Sequence, residues 1–281
     1  MINKIADLHI HSYYSDGTMS PEDILAAALK KGVGLFAITD HNILEGSLKL
    51  QELCYKHDIQ YLPAVELDSL YNETDIHILG YGMNLLDDEF CSFVKLNRIL
   101  LDDISLMLIE RMQKDYDSIT ISDYLAFTYD KKHGGWKALH YFINKGLTKS
   151  LVEGFALYPK YGCSYDCVAF PSVSTVCQYI HNAGGKAILA HPGKVINTID
   201  IDAFKRQVLH LIDLGLDGIE CYYPTHTKDI TNACLAICND NNLLITAGSD
   251  CHGEFGDAEV GEMNIPIEKL SLGSIYHIQE T

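Results

Sequence analysis

The sequence predicts an α/β protein. Short apolar runs alternate with amphipathic stretches, histidines and carboxylates gather where those runs end, and one long central segment breaks the rhythm. Repeated strand–helix units of this kind imply parallel strands in a barrel or distorted barrel. Residues 4–11 read as a strand. Residues 21–31 read as a helix, with Ser20 as N-cap and Pro21 at the first helical position. Residues 34–39 (GLFAIT) read as a buried strand, 45–57 as a helix, and 59–67 and 75–81 as strands. The pattern resumes with a helix over 173–183, a strand over 186–190 (KAILA), a helix over 203–214 and a strand over 218–221. A helix over 227–239 and a strand over 243–247 complete it.

Between these two blocks, residues 85–171 are mostly helical in pattern. A long helix is expected over 87–115, with shorter ones over 136–145 and 149–156. Lys131, Lys132, His133 and Lys137 form a cationic cluster around Gly134-Gly135. The expected organisation is therefore a barrel from 1–84 and 172–281, with 85–171 inserted as a small helical cap over one end.

A chain of 281 residues, 47% hydrophobic and 21% charged, is an ordinary globular protein, which excludes disordered, collagen-like and coiled-coil readings. Twenty-one basic against 38 acidic residues leave a net charge of −17. Such a surface repels duplex nucleic acid and anionic membranes, so a phosphorylated substrate must be drawn in by local positive charge such as bound metal. Nine cysteines, an odd number scattered through apolar stretches, read as buried thiols of a reducing compartment. There is no signal-peptide core and no run of ~18 apolar residues, so a soluble cytoplasmic protein is expected. Oligomeric state stays open.

The 13 histidines carry the functional signal. His9 and His11, in DLHIHS, are two apart and project to one face of a strand. Asp16 follows on a turn marked by Gly17. His41 closes FAITDH, Glu66 sits in LPAVELD, His77 in DIHILGYG and His191 in LAHPG. Asp250 and His252, in GSDCHG, again share a face, with Ser249 and Cys251 turned away. Nine nitrogen and oxygen donors at one edge of the strands suit two or three divalent cations, and zinc, manganese or iron rather than calcium or copper(I). His57, His140, His181, His210 and His277 have nothing nearby to complete a site and read as structural.

DLHIHS, ITDHN, the Glu66 strand, HILGYG, AHPG and SDCHG together resemble the ordered motifs of the PHP (polymerase and histidinol phosphatase) superfamily, over residues 4–253. The resemblance implies a distorted, TIM-barrel-like (β/α)7 barrel with a trinuclear metal site at the C-terminal strand ends. It assigns His9, His11, Glu66 and Asp250 to one metal and Asp16, His41 and His252 to a second. Glu66, His77 and His191 would hold a third, with Glu66 bridging. Asp16 stands where some members have histidine. With its Ser-Asp-Gly setting and the helical insertion, it resembles the branch acting on nucleotides and short RNA 5′ ends, where 5′-monophosphates and 3′,5′-bisphosphates are hydrolysed.

The expected chemistry is in-line hydrolysis of a phosphoester by a metal-bridging hydroxide, with Asp250 and His41 the ligands on which turnover most depends. His226, in ECYYPTHT, is a candidate to protonate the leaving oxygen and to contact substrate. Lys194, in AHPGK, reads as a phosphate clamp or a solvated loop lysine, and Lys137 as a stand-in for an arginine of related sequences. Asp7 and Asp40 either orient imidazoles or simply close turns. Tyr222, Tyr223 and Trp136 could stack a base, although apolar packing is the commoner use of such rings.

A histidinol-phosphate or other small phosphomonoester phosphatase would use the same metals. A non-catalytic metal-binding PHP module is the competing reading of a different class, against which stands the complete set of donors. The roughly 30 residues past the last motif leave no room for a polymerase. Neither a G-x-S-x-G elbow, a Walker loop nor a Rossmann fingerprint is present.

Overall fold

The computed structural model describes residues 4–57, 60–196 and 198–276. The readings of the His57 side chain and of His277 fall outside what it describes. Strand β1 (Ile5–Asp7) leads through the ligand-bearing loop to helix α1 (Pro21–Lys31). That helix starts as expected: Ser20 Oγ accepts the Asp23 N–H, the Asp23 carboxylate accepts the Ser20 N–H, and Pro21 opens the first turn. Gly32, at φ 75°, ends it in the left-handed conformation that a side chain would disfavour. Strand β2 (Val33–Phe36), helix α2 (Glu45–His57) and strands β3 (Ala64–Tyr71) and β4 (Thr74–Tyr81) follow.

Helices α3 (Asp88–Met112), α4 (Ile121–Ala126), α5 (Lys137–Asn144), α6 (Leu151–Phe155) and α7 (Leu157–Lys160) fill the central segment. They pack around an apolar cluster of their own that includes Leu108, Met112, Leu139 and Phe142. The chain then alternates through α8 (Val173–Asn182), β5 (Lys186–Leu189), α9 (Pro192–Val195), α10 (Ile201–Ile212), β6 (Gly218–Tyr222), α11 (Lys228–Asn241) and β7 (Leu244–Ala247), ending with β8 (Ile265–Pro266). None of the described helices is long and apolar enough to cross a membrane.

The strands form two mixed sheets instead of one parallel barrel. One has the order β2-β1-β8 and the other β3-β4-β5-β6-β7. Pairing is antiparallel for β3·β4, β4·β5 and β1·β8, and parallel for β1·β2, β5·β6 and β6·β7. Single contacts link the sheets, among them the His41–Glu66 bridge and the Leu8 N–H to Ala247 O bond of 2.9 Å, and no closed barrel forms among the described residues.

The departure begins at Asn72 and Glu73. Both have positive φ (48° and 63°), so a two-residue turn joins β3 to β4, and so short a link permits only antiparallel neighbours. Expecting two separate strands at 59–67 and 75–81 missed it because Asn-Glu lacks the glycine such a turn usually shows. The consequence is functional. His77 reaches the site from the middle of an antiparallel strand, not from the end of a parallel one.

Alternation along β3 separates two environments. Val65 and Leu67 join the apolar core with Val176 and Ile180 of α8, while Glu66 and Asp68 are buried on the opposite, polar face. No disulfide joins the cysteines: all nine are free thiols, seven of them buried, as their scatter implied.

Candidate metal centre

Glu66 is the hub of the polar face. Its Oε2 lies 3.3 Å from His9 Nε2, 3.2 Å from His11 Nε2 and 3.3 Å from His41 Nδ1. Its Oε1 lies 2.9 Å from His77 Nδ1 and 3.2 Å from His191 Nε2. One carboxylate therefore divides five imidazoles between its two oxygens. Asp250 Oδ1 meets His9 Nε2 at 3.3 Å and His11 Nε2 at 3.2 Å, which closes a group of His9, His11, Glu66 and Asp250. His11, Asp16, His41 and His252 form a second group, with His252 Nε2 3.3 Å from Asp16 Oδ2. His77 and His191, which the resemblance joins to Glu66, share its Oε1. The compact groups that contain them are His41–Glu66–His77 and His9–His191–Asp250. All nine donors singled out in the sequence thus come together.

The backbone is strained to place them. His191 (φ 27°), Asp250 (φ 54°) and Asn42 (φ 51°), the residue after His41, all hold left-handed conformations that non-glycine residues rarely adopt.

Electrostatics favour a cation. Burial alone would raise the Glu66 carboxyl, but the imidazoles of His41, His9 and His77 outweigh it and hold it well below the usual range. Burial pushes His41 down to about 4 and His191 to about 3, whereas, against burial, neighbouring carboxylates raise His11 to about 10 and hold His9 and His77 well above the usual imidazole value. His9 Nε2 and His11 Nε2 face each other at 3.1 Å. Donors about 2.1 Å from one divalent cation sit about 3.0–3.4 Å apart, so these separations match the edges of a coordination polyhedron. His11 Nδ1, His41 Nδ1, His77 Nδ1 and Asp16 Oδ1 are buried without a hydrogen-bond partner. The residues fit a cluster of divalent cations held by nitrogen and oxygen.

A family model described as the PHP domain matches residues 7–169. The chain belongs to the PHP domain family. It is 26% identical over 255 residues to the 5'-3' exoribonuclease Rnm of Escherichia coli, covering 88% of this chain and 85% of that one. It is 27% identical over 263 residues to the phosphoribosyl 1,2-cyclic phosphate 1,2-diphosphodiesterase of Eggerthella lenta, covering 90% and 95%. The fold resembles that of a putative metal-dependent phosphoesterase from Bifidobacterium adolescentis, with a TM-score of 0.76 at 24% identity over 92% of this chain and 91% of that one.

Around this PHP site, Asp7 and Asp40 take the second of the two roles expected of them and close loops. Asp7 touches no imidazole side chain. It accepts the Ser249 N–H at 2.9 Å, the Ser249 hydroxyl at 2.7 Å and the Gly261 N–H, tying β1 to the Asp250 loop. Asp40 accepts the Ser12 N–H at 2.7 Å and the hydroxyls of Ser12 and Ser15 at 2.6 and 2.7 Å, which closes the loop bearing Asp16. Both carboxylates order backbone, not imidazole.

That second task falls to Glu220, which sequence reading missed. Its Oε1 accepts the His9 Nδ1–H at 3.0 Å, and its Oε2 accepts the His191 N–H at 2.8 Å. Asp75 and Asp68 hold His77 Nε2 at 2.7 and 3.2 Å. The signal for Glu220 was a lone carboxylate in the otherwise apolar strand GIECY. Glu220→Gln keeps the shape but loses the charge that fixes the His9 tautomer, so metal affinity should fall about 10–100-fold. A manganese titration would check this, and wild-type affinity would remove Glu220 from the site's support.

The remaining candidates divide. Lys194 Nζ donates to Asp250 Oδ2 at 3.2 Å from the site mouth with its side chain 53% exposed, and the Tyr223 hydroxyl donates to the same oxygen at 2.7 Å. Lys137 turns away from the donors: its Nζ donates to Leu125 O at 3.1 Å and lies 4.8 Å from the Tyr124 ring. His226 departs from the proton-donor expectation, because both its ring nitrogens are engaged by backbone. Nδ1–H donates to Cys221 O at 3.1 Å and Nε2 accepts the Gly193 N–H at 3.1 Å, which anchors the loop after His191. Of the histidines read as structural, His140 donates to Gly134 O, His181 pairs with Asp217, and His210 packs on Tyr71. Trp136 packs 5.7 Å from His41, ring to ring.

Proposed function

We propose that this chain hydrolyses phosphate esters of ribose-containing compounds, in the first place nucleotides: 5′-monophosphates, 3′,5′-bisphosphates or short 5′-phosphorylated RNA. As a PHP-family chain with a complete donor set, it is a metal-dependent phosphoric ester hydrolase. The observation that carries the reading is Glu66, whose two oxygens face five imidazoles, an arrangement suited to bridging cations around a phosphate. The substrate class draws on the relatives, one an exoribonuclease and the other acting on a phosphoribosyl cyclic phosphate.

Two or three divalent cations, manganese, iron or zinc, would be held by His9, His11, Asp16, His41, Glu66, His77, His191, Asp250 and His252. When bound they supply Lewis acidity and an activated water for attack on phosphorus. The chain's own contributions are positional. Glu220 fixes His9 and the His191 backbone, and Tyr223 and Lys194 orient Asp250. Lys194, at the mouth, can exchange Asp250 for a phosphate oxygen as a point charge. Residues 85–171 would act as a cap that selects substrate. The nine free thiols suit a reducing, cytoplasmic setting.

The test is phosphate release by manganese-loaded protein from AMP, 3′,5′-bisphosphoadenosine, a 5′-phosphorylated dinucleotide and histidinol phosphate. Preference for the nucleotides supports the reading. Preference for histidinol phosphate replaces the substrate class while keeping the metal assignments, and silence with metal bound leaves a binding module. Lys194→Ala should raise KM for the preferred substrate about tenfold with kcat little changed, the effect of losing one charge-assisted contact. Unchanged kinetics would return Lys194 to the solvated loop.

A further inference from the structure

Beside the metal centre, the helical segment encloses a cavity of about 210 Å³ to which none of the nine donors contributes. Its walls are aromatic, from Trp136, Tyr124, Tyr158 and Tyr165, and its polar groups include Asp102 and Lys137. The cavity adjoins the site on two sides. Trp136 packs on His41, and the N–H of the preceding Gly135 donates to Asp16 O at 2.7 Å. The turn bearing Tyr165 packs on β4, the strand that carries His77.

We infer that this cavity receives the nucleobase of the nucleotide whose phosphate lies at the metal centre, an assignment that rests on the function proposed above. Flat aromatic walls suit any base, because every base has a π-face. The polar groups supply both hydrogen-bonding senses, an acceptor at Asp102 and donors at Lys137 and the Ser105–Tyr158 hydroxyl pair, whose oxygens are 2.8 Å apart. Arg98 adds an independent observation. Its Nε and Nη2 bond to Asp102 at 3.1 Å each and its guanidinium lies 5.3 Å from the Trp136 ring, yet its buried Nη1 has no partner. From outside the lining, the guanidinium thus braces two of the cavity's walls, the Asp102 carboxylate and the Trp136 ring. Lys137, expected on the phosphate, belongs on this reading to the base.

Trp136 is the chain's one tryptophan, so its fluorescence reports the cavity directly, without turnover. Adenosine should quench it saturably and ribose should not, and Ser105→Phe or Leu101→Phe, which fill the cavity, should abolish the quenching in protein of unchanged circular dichroism. In manganese-loaded enzyme, kcat/KM for AMP should exceed that for ribose 5-phosphate at least about tenfold, the order one base–aromatic stack supplies. That ratio should fall to within about twofold in the filled variants. Unsaturable quenching, or a ratio that the filled variants leave intact, overturns the base pocket. Hydrolysis of none of AMP, 3′,5′-bisphosphoadenosine and the 5′-phosphorylated dinucleotide, with saturable adenosine quenching, overturns the proposed reaction and keeps the pocket.

Discussion

Asp250→Asn and His41→Ala are each expected to lower phosphate release by at least about 10³-fold while the protein stays folded. Asp250 meets His9 and His11 through one oxygen and receives Tyr223 and Lys194 on the other, so loss of its charge disturbs four contacts at once. His41 is joined to the Glu66 side and to the Asp16 side of the cluster. Its removal should therefore weaken both groups, leaving His11 to join them. Metal content and thermal melting measured beside turnover separate lost ligation from lost folding. Near-wild-type turnover in either variant would sink the metal-centred mechanism.

Gly248→Ala should be nearly as damaging by another route. A Cβ there would overlap both the His9 Cβ and Glu220 Oε1, a ligand and the carboxylate that orients it. Neither can retreat, because both are fully buried. The cost of such overpacking is about 3 kcal/mol, or on the order of 6 °C in Tm for a chain of this size, with activity falling in parallel. An unchanged melting temperature with full activity would mean that the β7 exit loop can shift without moving His9, against the geometry described.

Much of the site was legible because its chemistry is local. The two-residue spacings of His9 with His11 and of Asp250 with His252, just past apolar runs, marked them as donors, although β1 ends at Asp7 and Asp250 is left-handed, so loops and not strand alternation place them. The cap of α1 was legible for the same reason, since Ser20, Pro21 and Asp23 act within one helical turn. Residues 211 apart in the chain gave no such signal. Glu220 and His9 are brought together only by sheet order, so a carboxylate inside an apolar strand looked unremarkable. Asp7 and Asp40, close to ligands in sequence, are taken up by the Asp250 and Asp16 loops, contacts with segments up to 254 residues away that local spacing does not show.

By itself, the sequence determined which residue types could bind cations, the two-residue spacings that mark them in pairs, the helix starts, and the acidic balance that makes bound metal the natural attractor for phosphate. Tertiary structure decided how the donors group, that β4 runs antiparallel, that Glu220 supports the centre, that Lys137 and His226 turn elsewhere, and that Trp136 lines a cavity in the helical segment. The division has a physical cause. Side-chain chemistry and dihedral preference act over a few residues, whereas strand pairing and the burial of a charge depend on segments brought together from across the whole chain.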